Sequence, residues 1–151
     1  MLNDYLTEET VLFAENIDGW RTAIDLVTEP LLASGSITPD YKQAMIASIA
    51  AGGVYIDLGF GIALAHSRPE NGVVTTGLSS LRVTPAVLLN DDPAHPIDLF
   101  FCLAATDATG HLDTMRDLAT LLTDDDKRGR LLAATTSADA LAVIQEIGDS
   151  E

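Results

Sequence analysis

The stretch Ile97-Asp98-Leu99-Phe100-Phe101-Cys102-Leu103-Ala104-Ala105 decides the fold. It is an apolar run of strand length, the pattern of a central strand covered on both faces. Directly after it, residues 111–122 place Leu112, Met115, Leu118, Ala119 and Leu122 on one helical stripe. A buried strand feeding an amphipathic helix is a unit of layered α/β structure.

Working upstream, 76–83 alternates, with Leu78 against Ser79 and Leu81 against Arg82, which predicts a strand with one wet face or one face at a site. Residues 54–58 and 62–65 are short apolar segments expected as strands around Gly59 and Gly61. A helix is expected near 38–51: Thr38 caps it, Pro39 takes the first position, and Asp40 suits the positive dipole end. Tyr41, Ala44, Met45 and Ile49 follow helical spacing, and Gly52-Gly53 stops it. An earlier helix over 20–32 presents Ile24, Val27 and Leu31, with Pro30 distorting its end. Residues 1–17 read as a lead-in docked by Leu6, Val11, Leu12 and Phe13. Downstream, Asn90-Asp91-Asp92-Pro93 marks a loop, 123–126 opens a short helix, and Ser137 caps a last one with Leu141, Ile144 and Ile147 inward. Helices, then strands, then helices predict an α/β sandwich, a mixed β-sheet between helical layers, as one domain over 1–151.

Bulk properties narrow the function. The formal net charge is −15, from 23 Asp and Glu against eight Lys and Arg. Nucleic acid and anionic membrane surfaces are repelled by such a surface, so neither is an expected partner. The acidity serves solubility, or selects partners with a basic docking face. Cys102 is the only cysteine and lies inside the apolar run, so it is expected as a buried hydrophobe with no disulfide or thiolate metal site. No apolar stretch approaches the ~20 residues of a membrane span and the N-terminus lacks a signal pattern, so the expected location is cytoplasmic. No His or Cys spacing supports a metal, Asp124–Asp126 lacks the alternation of a calcium loop, and there is no phosphate-binding loop for direct use of ATP. No cofactor is expected.

Two of the three histidines are placed where chemistry occurs. His66 follows the short strand 62–65, and His111 starts the helix after the buried strand. Strand ends and helix starts are where open α/β sheets bind small anions. A neutral imidazole is a good nucleophile, and its phosphoramidate passes the phosphoryl group onward. Ser67 and Arg68 follow His66 directly and are the candidates for binding the phosphoryl oxygens, Arg68 through its guanidinium. His111 can donate a hydrogen bond and compensate charge. Each residue also has a plainer reading: His66 as a polar strand-end residue, His111 as an exposed helix start, Arg68 as a surface partner of Glu70, His95 as loop decoration.

The segment Gly61-Ile62-Ala63-Leu64-Ala65-His66-Ser67-Arg68-Pro69-Glu70-Asn71-Gly72-Val73, followed by Thr76-Gly77-Leu78, closely resembles the active-site segment of mannitol/fructose-type IIA components of the bacterial phosphotransferase system. It is most similar to the ascorbate-type branch. Tyr41-Lys42-Gln43-Ala44-Met45, Tyr55-Ile56, Asp98-Leu99, Ala104-Ala105, Asp107 and His111-Leu112 continue the match in order, over roughly residues 10–148. The resemblance implies a five-stranded mixed sheet and a phosphohistidine carrier. His66 would accept phosphoryl from HPr and donate it to a cysteine of a IIB protein, serving a IIC permease, while His111 would support the phosphohistidine. The family commonly has Pro before the active histidine, where Ala65 stands here. The mannitol branch also carries an Arg on the preceding helix, whereas 45–51 has no basic residue, which fits the ascorbate-like branch. The alternative is a regulatory module whose phosphorylation state controls binding to a partner.

Overall fold

Five strands, β1 (Val11–Glu15), β2 (Asp57–Gly59), β3 (Ile62–Ala65), β4 (Gly77–Leu88) and β5 (Pro96–Ala104), form one sheet in the order β1-β4-β5-β3-β2. β1 runs parallel to β4 and β3 parallel to β5, whereas β4–β5 and β2–β3 are antiparallel, so the sheet is mixed as expected. The computed structural model describes residues 5–149, without the side chains of 108–111, 148 and 149. Residues 1–4 of the expected lead-in lie outside the described residues.

Side-chain alternation along the strands splits the core in two. Ala63 and Ala65, Leu81 and Val83, and Phe100 and Cys102 face α1 (Trp20–Ala33) and α2 (Pro39–Ala50). The intervening Ile62, Leu64, Leu99, Phe101 and Leu103 face α3 (Ala108–Thr123), α4 (Asp125–Ala133) and α5 (Ser137–Asp149). β5 is therefore apolar on successive residues because helices cover both its faces. Full burial of Phe100 and Phe101 stabilises the sandwich by about 1.5–3 kcal/mol per side chain.

Several expectations are corrected. Within the expected docked lead-in, Val11–Glu15 is an edge strand, paired Val11↔Ser80 through Glu15↔Thr84. Val54–Ile56 is a 3-10 turn rather than strand, which leaves β2 only three residues. β4 is not wet on one face over its first half: Gly77 through Leu81 are all buried. Ser79 is tolerated there because its hydroxyl donates to the Val27 carbonyl of α1, which removes the cost of an unpaired buried polar group. On α3, Leu118 is buried as expected, but Leu112 is 61% exposed and Ala119 also faces outward, and Thr114, Asp117 and Leu121 are buried in their place. Thr136, not Ser137, caps α5, its hydroxyl accepting from the Asp139 N–H at 3.2 Å. Thr38 holds the N-cap position of α2 without a side-chain cap bond, whereas Asp124 caps α4 through the Lys127 N–H at 3.0 Å. Cys102 is fully buried, as expected. No helix among the described residues is long and apolar enough to cross a membrane.

Candidate functional site

β3 and β5 run side by side in the same direction, and their last register pair is Ala65↔Cys102. Both carboxyl ends therefore reach the same edge of the sheet. His66 is the first residue past β3. His111 lies in the first turn of α3, a few residues past β5, and its side chain lies outside the described residues. The start of β4 comes to the same edge, where the Thr76 and Thr106 hydroxyls sit 3.1 Å apart. Topology thus brings together segments more than thirty residues apart in the chain, the arrangement that makes carboxyl ends of parallel strands into binding crevices.

His66 is half-buried, and its ring is oriented by its own strand: Nδ1 lies 2.8 Å from the Leu64 carbonyl oxygen. A carbonyl can only accept, so Nδ1 carries the proton and the lone pair resides on Nε2. The Tyr55 ring stands edge-on to the imidazole, with centroids 6.4 Å apart and planes at 80°. Tyr55 is 68% exposed, and its hydroxyl is 3.3 Å from that of Ser48 on α2. These groups open onto a cavity of about 590 Å³, in which, among the described residues, Arg68 is the only lining guanidinium and Asp107 the only lining carboxylate.

The loop after His66 is laced down on both sides. Ser67 N–H donates to the buried Tyr41 hydroxyl at 2.9 Å, and Asn71 Nδ2 donates to Ser67 Oγ at 2.8 Å. Thr38 N–H, at the start of α2, donates to the Gly72 carbonyl at 2.9 Å. Gly72 has φ 139°, a conformation that side chains rarely adopt. Arg68 is exposed on the rim, close enough to line the cavity and long enough to swing over it.

The structure brings His66, Ser67 and Arg68 to one cavity, and the backbone of His111 to the same sheet edge. His95 is not loose decoration. It is half-buried at the opposite end of β5, where its Nδ1 lies 2.8 Å from Asp57 Oδ2. Tyr41, Tyr55 and Asn71 also line the cavity, beyond the residues expected from the sequence. Tyr41 sat on a helical apolar stripe, and the one available signal was its phenol, since a buried Tyr hydroxyl usually finds a partner.

With this geometry in place, comparison with known proteins is direct. Residues 4–147 match the family described as "Phosphoenolpyruvate-dependent sugar phosphotransferase system, EIIA 2". The chain is 29% identical over 145 residues to the ascorbate-specific PTS system EIIA component of Escherichia coli (strain K12), covering 95% of this chain and 94% of that protein. The solution structure of the mannitol-specific cryptic phosphotransferase enzyme IIA CmtB from Escherichia coli superposes with a TM-score of 0.87 at 30% identity, covering 96% of this chain and 98% of that one. The fold is also that of enzyme IIA mannitol in its complex with phosphorylated enzyme IIB mannitol from Escherichia coli, with a TM-score of 0.77 at 22% identity over 93% of this chain and 97% of that one. A match over nearly the whole length, a mixed five-stranded sheet and a shared architecture agree: this chain belongs to the EIIA type 2 family of the sugar phosphotransferase system, whose members are phosphotransferase phosphocarriers.

Proposed function

We propose that His66 carries the phosphoryl group, accepting it on Nε2 from phosphorylated HPr and donating it to a cysteine of a IIB protein, in a cytoplasmic system for an ascorbate-like sugar. The observation that carries this reading is the Leu64 carbonyl on His66 Nδ1, which leaves Nε2 as the nucleophile at the mouth of a cavity. The Nε2 lone pair attacks phosphorus; the new N–P bond forms as the donor's N–P bond breaks, and the donor ring takes back its electron pair. The ring gains positive charge in this step, which the Leu64 carbonyl dipole stabilises through Nδ1–H. In the second transfer a thiolate attacks phosphorus, an S–P bond forms, and the pair returns to Nε2. No proton need leave His66 in either direction.

Ser67 and Arg68 are the residues we assign to the phosphoryl oxygens, and His111 is assigned a supporting role from the first turn of α3. The IIB partner is supported by the complex in which the mannitol relative was solved. The ascorbate-like substrate is supported by the 29% identical relative and by the absence of a basic residue at 45–51.

The test is phosphoryl transfer from phosphorylated HPr to the wild type, His66→Ala and His111→Ala. Label is expected on the wild type and His111→Ala and absent from His66→Ala; no label on any of the three removes the carrier reading. Onward transfer is then offered to the IIB proteins of an ascorbate and a mannitol system. Faster discharge to the ascorbate IIB is expected. Discharge to neither, with phosphate-dependent capture of another protein, would replace transport by regulation.

A further inference from the structure

Tyr41 belongs to the apolar stripe of α2 and is 1% exposed, yet its hydroxyl makes three polar contacts at the site. It accepts from Ser67 N–H at 2.9 Å, donates to the Leu103 carbonyl at 2.8 Å, and lies 3.2 Å from the Ser67 carbonyl. These contacts occur just past Ala65↔Cys102, where the direct pairing of β3 with β5 stops. At its other end the Gly61 carbonyl accepts from both Asp98 N–H at 2.8 Å and Leu99 N–H at 3.0 Å, and because Ile62 pairs with Leu99 the second of these sets the alternation of the ladder. Continued in the same phase, the next rung after Ala65 would join Ser67 N–H to the Leu103 carbonyl. The phenol oxygen stands between those two groups, accepting from one and donating to the other. The strand ends are spread by one inserted oxygen, and the Ser67 N–H and the Leu103 carbonyl both keep a partner.

The split lies at the site. Ser67 is covalently next to His66, and Tyr41, Ser67 and Leu103 all line the cavity beside the imidazole. Burial pushes the Tyr41 phenol well above its ordinary value, so the hydroxyl keeps its proton for Leu103 while accepting from Ser67.

We propose that Tyr41 is a positioning residue for phosphoryl transfer, its hydroxyl acting as an inserted rung that holds the backbone after His66 off β5 and sets how the imidazole is presented. This rests on the carrier reading of His66. Tyr41→Phe would let Ser67 N–H and the Leu103 carbonyl close on each other, and the ring would move with the backbone.

Single-turnover transfer from phosphorylated HPr tests the role, with His66→Ala as the blank. In Tyr41→Phe the rate at saturating donor is expected to fall about ten- to a hundredfold, as for other small misplacements of a reacting group, with donor affinity within about twofold of wild type. The imidazole NMR shifts of His66 are expected to move in the same variant. Ile49→Val loosens the same helix away from the cavity and is expected to change neither. An unchanged saturating rate in Tyr41→Phe overturns the proposal, as does an equal loss in Ile49→Val. Amide exchange at Ser67 in the wild type decides the matter even if Tyr41→Phe does not fold: protection supports the rung, and exchange at the unprotected rate overturns it. No label on the wild type would remove the carrier reading and the positioning role with it, whereas a labelled wild type with an unaffected Tyr41→Phe removes the positioning role alone.

Discussion

The Nδ1 atom of His66 lies 2.8 Å from the carbonyl oxygen of Leu64, two positions back in β3. The tautomer follows from that contact, because a carbonyl has no proton to give. Phosphorylated protein is therefore expected to carry its phosphoryl on Nε2, read as phosphorus–nitrogen coupling in ¹⁵N-histidine NMR. Coupling to Nδ1 would mean that the Leu64 contact breaks before transfer.

Arg68 is the only guanidinium lining the cavity among the described residues, and the phosphoryl group of the proposed reaction is a dianion. Arg68→Ala is expected to slow transfer by about ten- to a hundredfold, at the modest end of what a lost oxyanion donor costs, because the side chain is solvent-exposed. Arg68→Lys should recover part of the rate, since charge survives while the planar two-pronged contact is lost. The rate difference between wild type and Arg68→Ala should shrink as salt is raised. A rate that ignores both substitutions would return Arg68 to the ordinary surface.

The layered architecture was legible because β5 is apolar on successive residues and α1 and α2 carry clean helical stripes. What escaped the sequence depended on tertiary partners. Val11–Glu15 is a five-residue edge strand whose pairing with β4 spans nearly seventy residues, so no local pattern announces it. Ser79 looked like a wet position because its partner, the Val27 carbonyl, is far away in sequence. The same limit applied to the site. His66, Ser67 and Arg68, which line one cavity, are contiguous in sequence, whereas Tyr41 reaches the same cavity from a helix position that spacing assigns to the core. His95 was misjudged for the matching reason, since Asp57 sits on another strand.

Gly72 closes the loop after His66 against the start of α2, with its carbonyl accepting from Thr38 N–H. A Cβ there would lie 2.2 Å from Thr38 Oγ1 and 3.1 Å from Tyr41 N, on a backbone at φ 139°. Steric overlap and backbone strain act together, so Gly72→Ala is expected to lower stability by about 1–3 kcal/mol. Denaturant unfolding measures the loss. Because the displaced atoms adjoin Tyr41, transfer should slow as well. A variant as stable as wild type would show that Thr38 can rotate away at no cost.

Cys102 is buried among Ala65, Phe100 and the α1–α2 layer, and burial pushes its thiol from 9.0 up to about 12. The Tyr41 phenol shifts in the same direction, also by burial first. In both groups the fold favours the protonated form. The unfolded chain gives up the thiol proton near 9.0 and the folded chain near 12, so between those values the unfolded state holds fewer protons. Stability therefore falls as pH rises through that window, by at most about 1.4 kcal/mol per pH unit for one such group. Below it, both states keep the proton and the thiol contributes no slope. Unfolding midpoints should be insensitive to this group below pH 9.0 and decline above it, with a shallower decline in Cys102→Ala. Thiol reagents offered below that pH should modify the native protein only as fast as it unfolds. Modification at the rate of a free thiol would show that the layer over Cys102 opens locally, and the alkaline slope should then be absent as well.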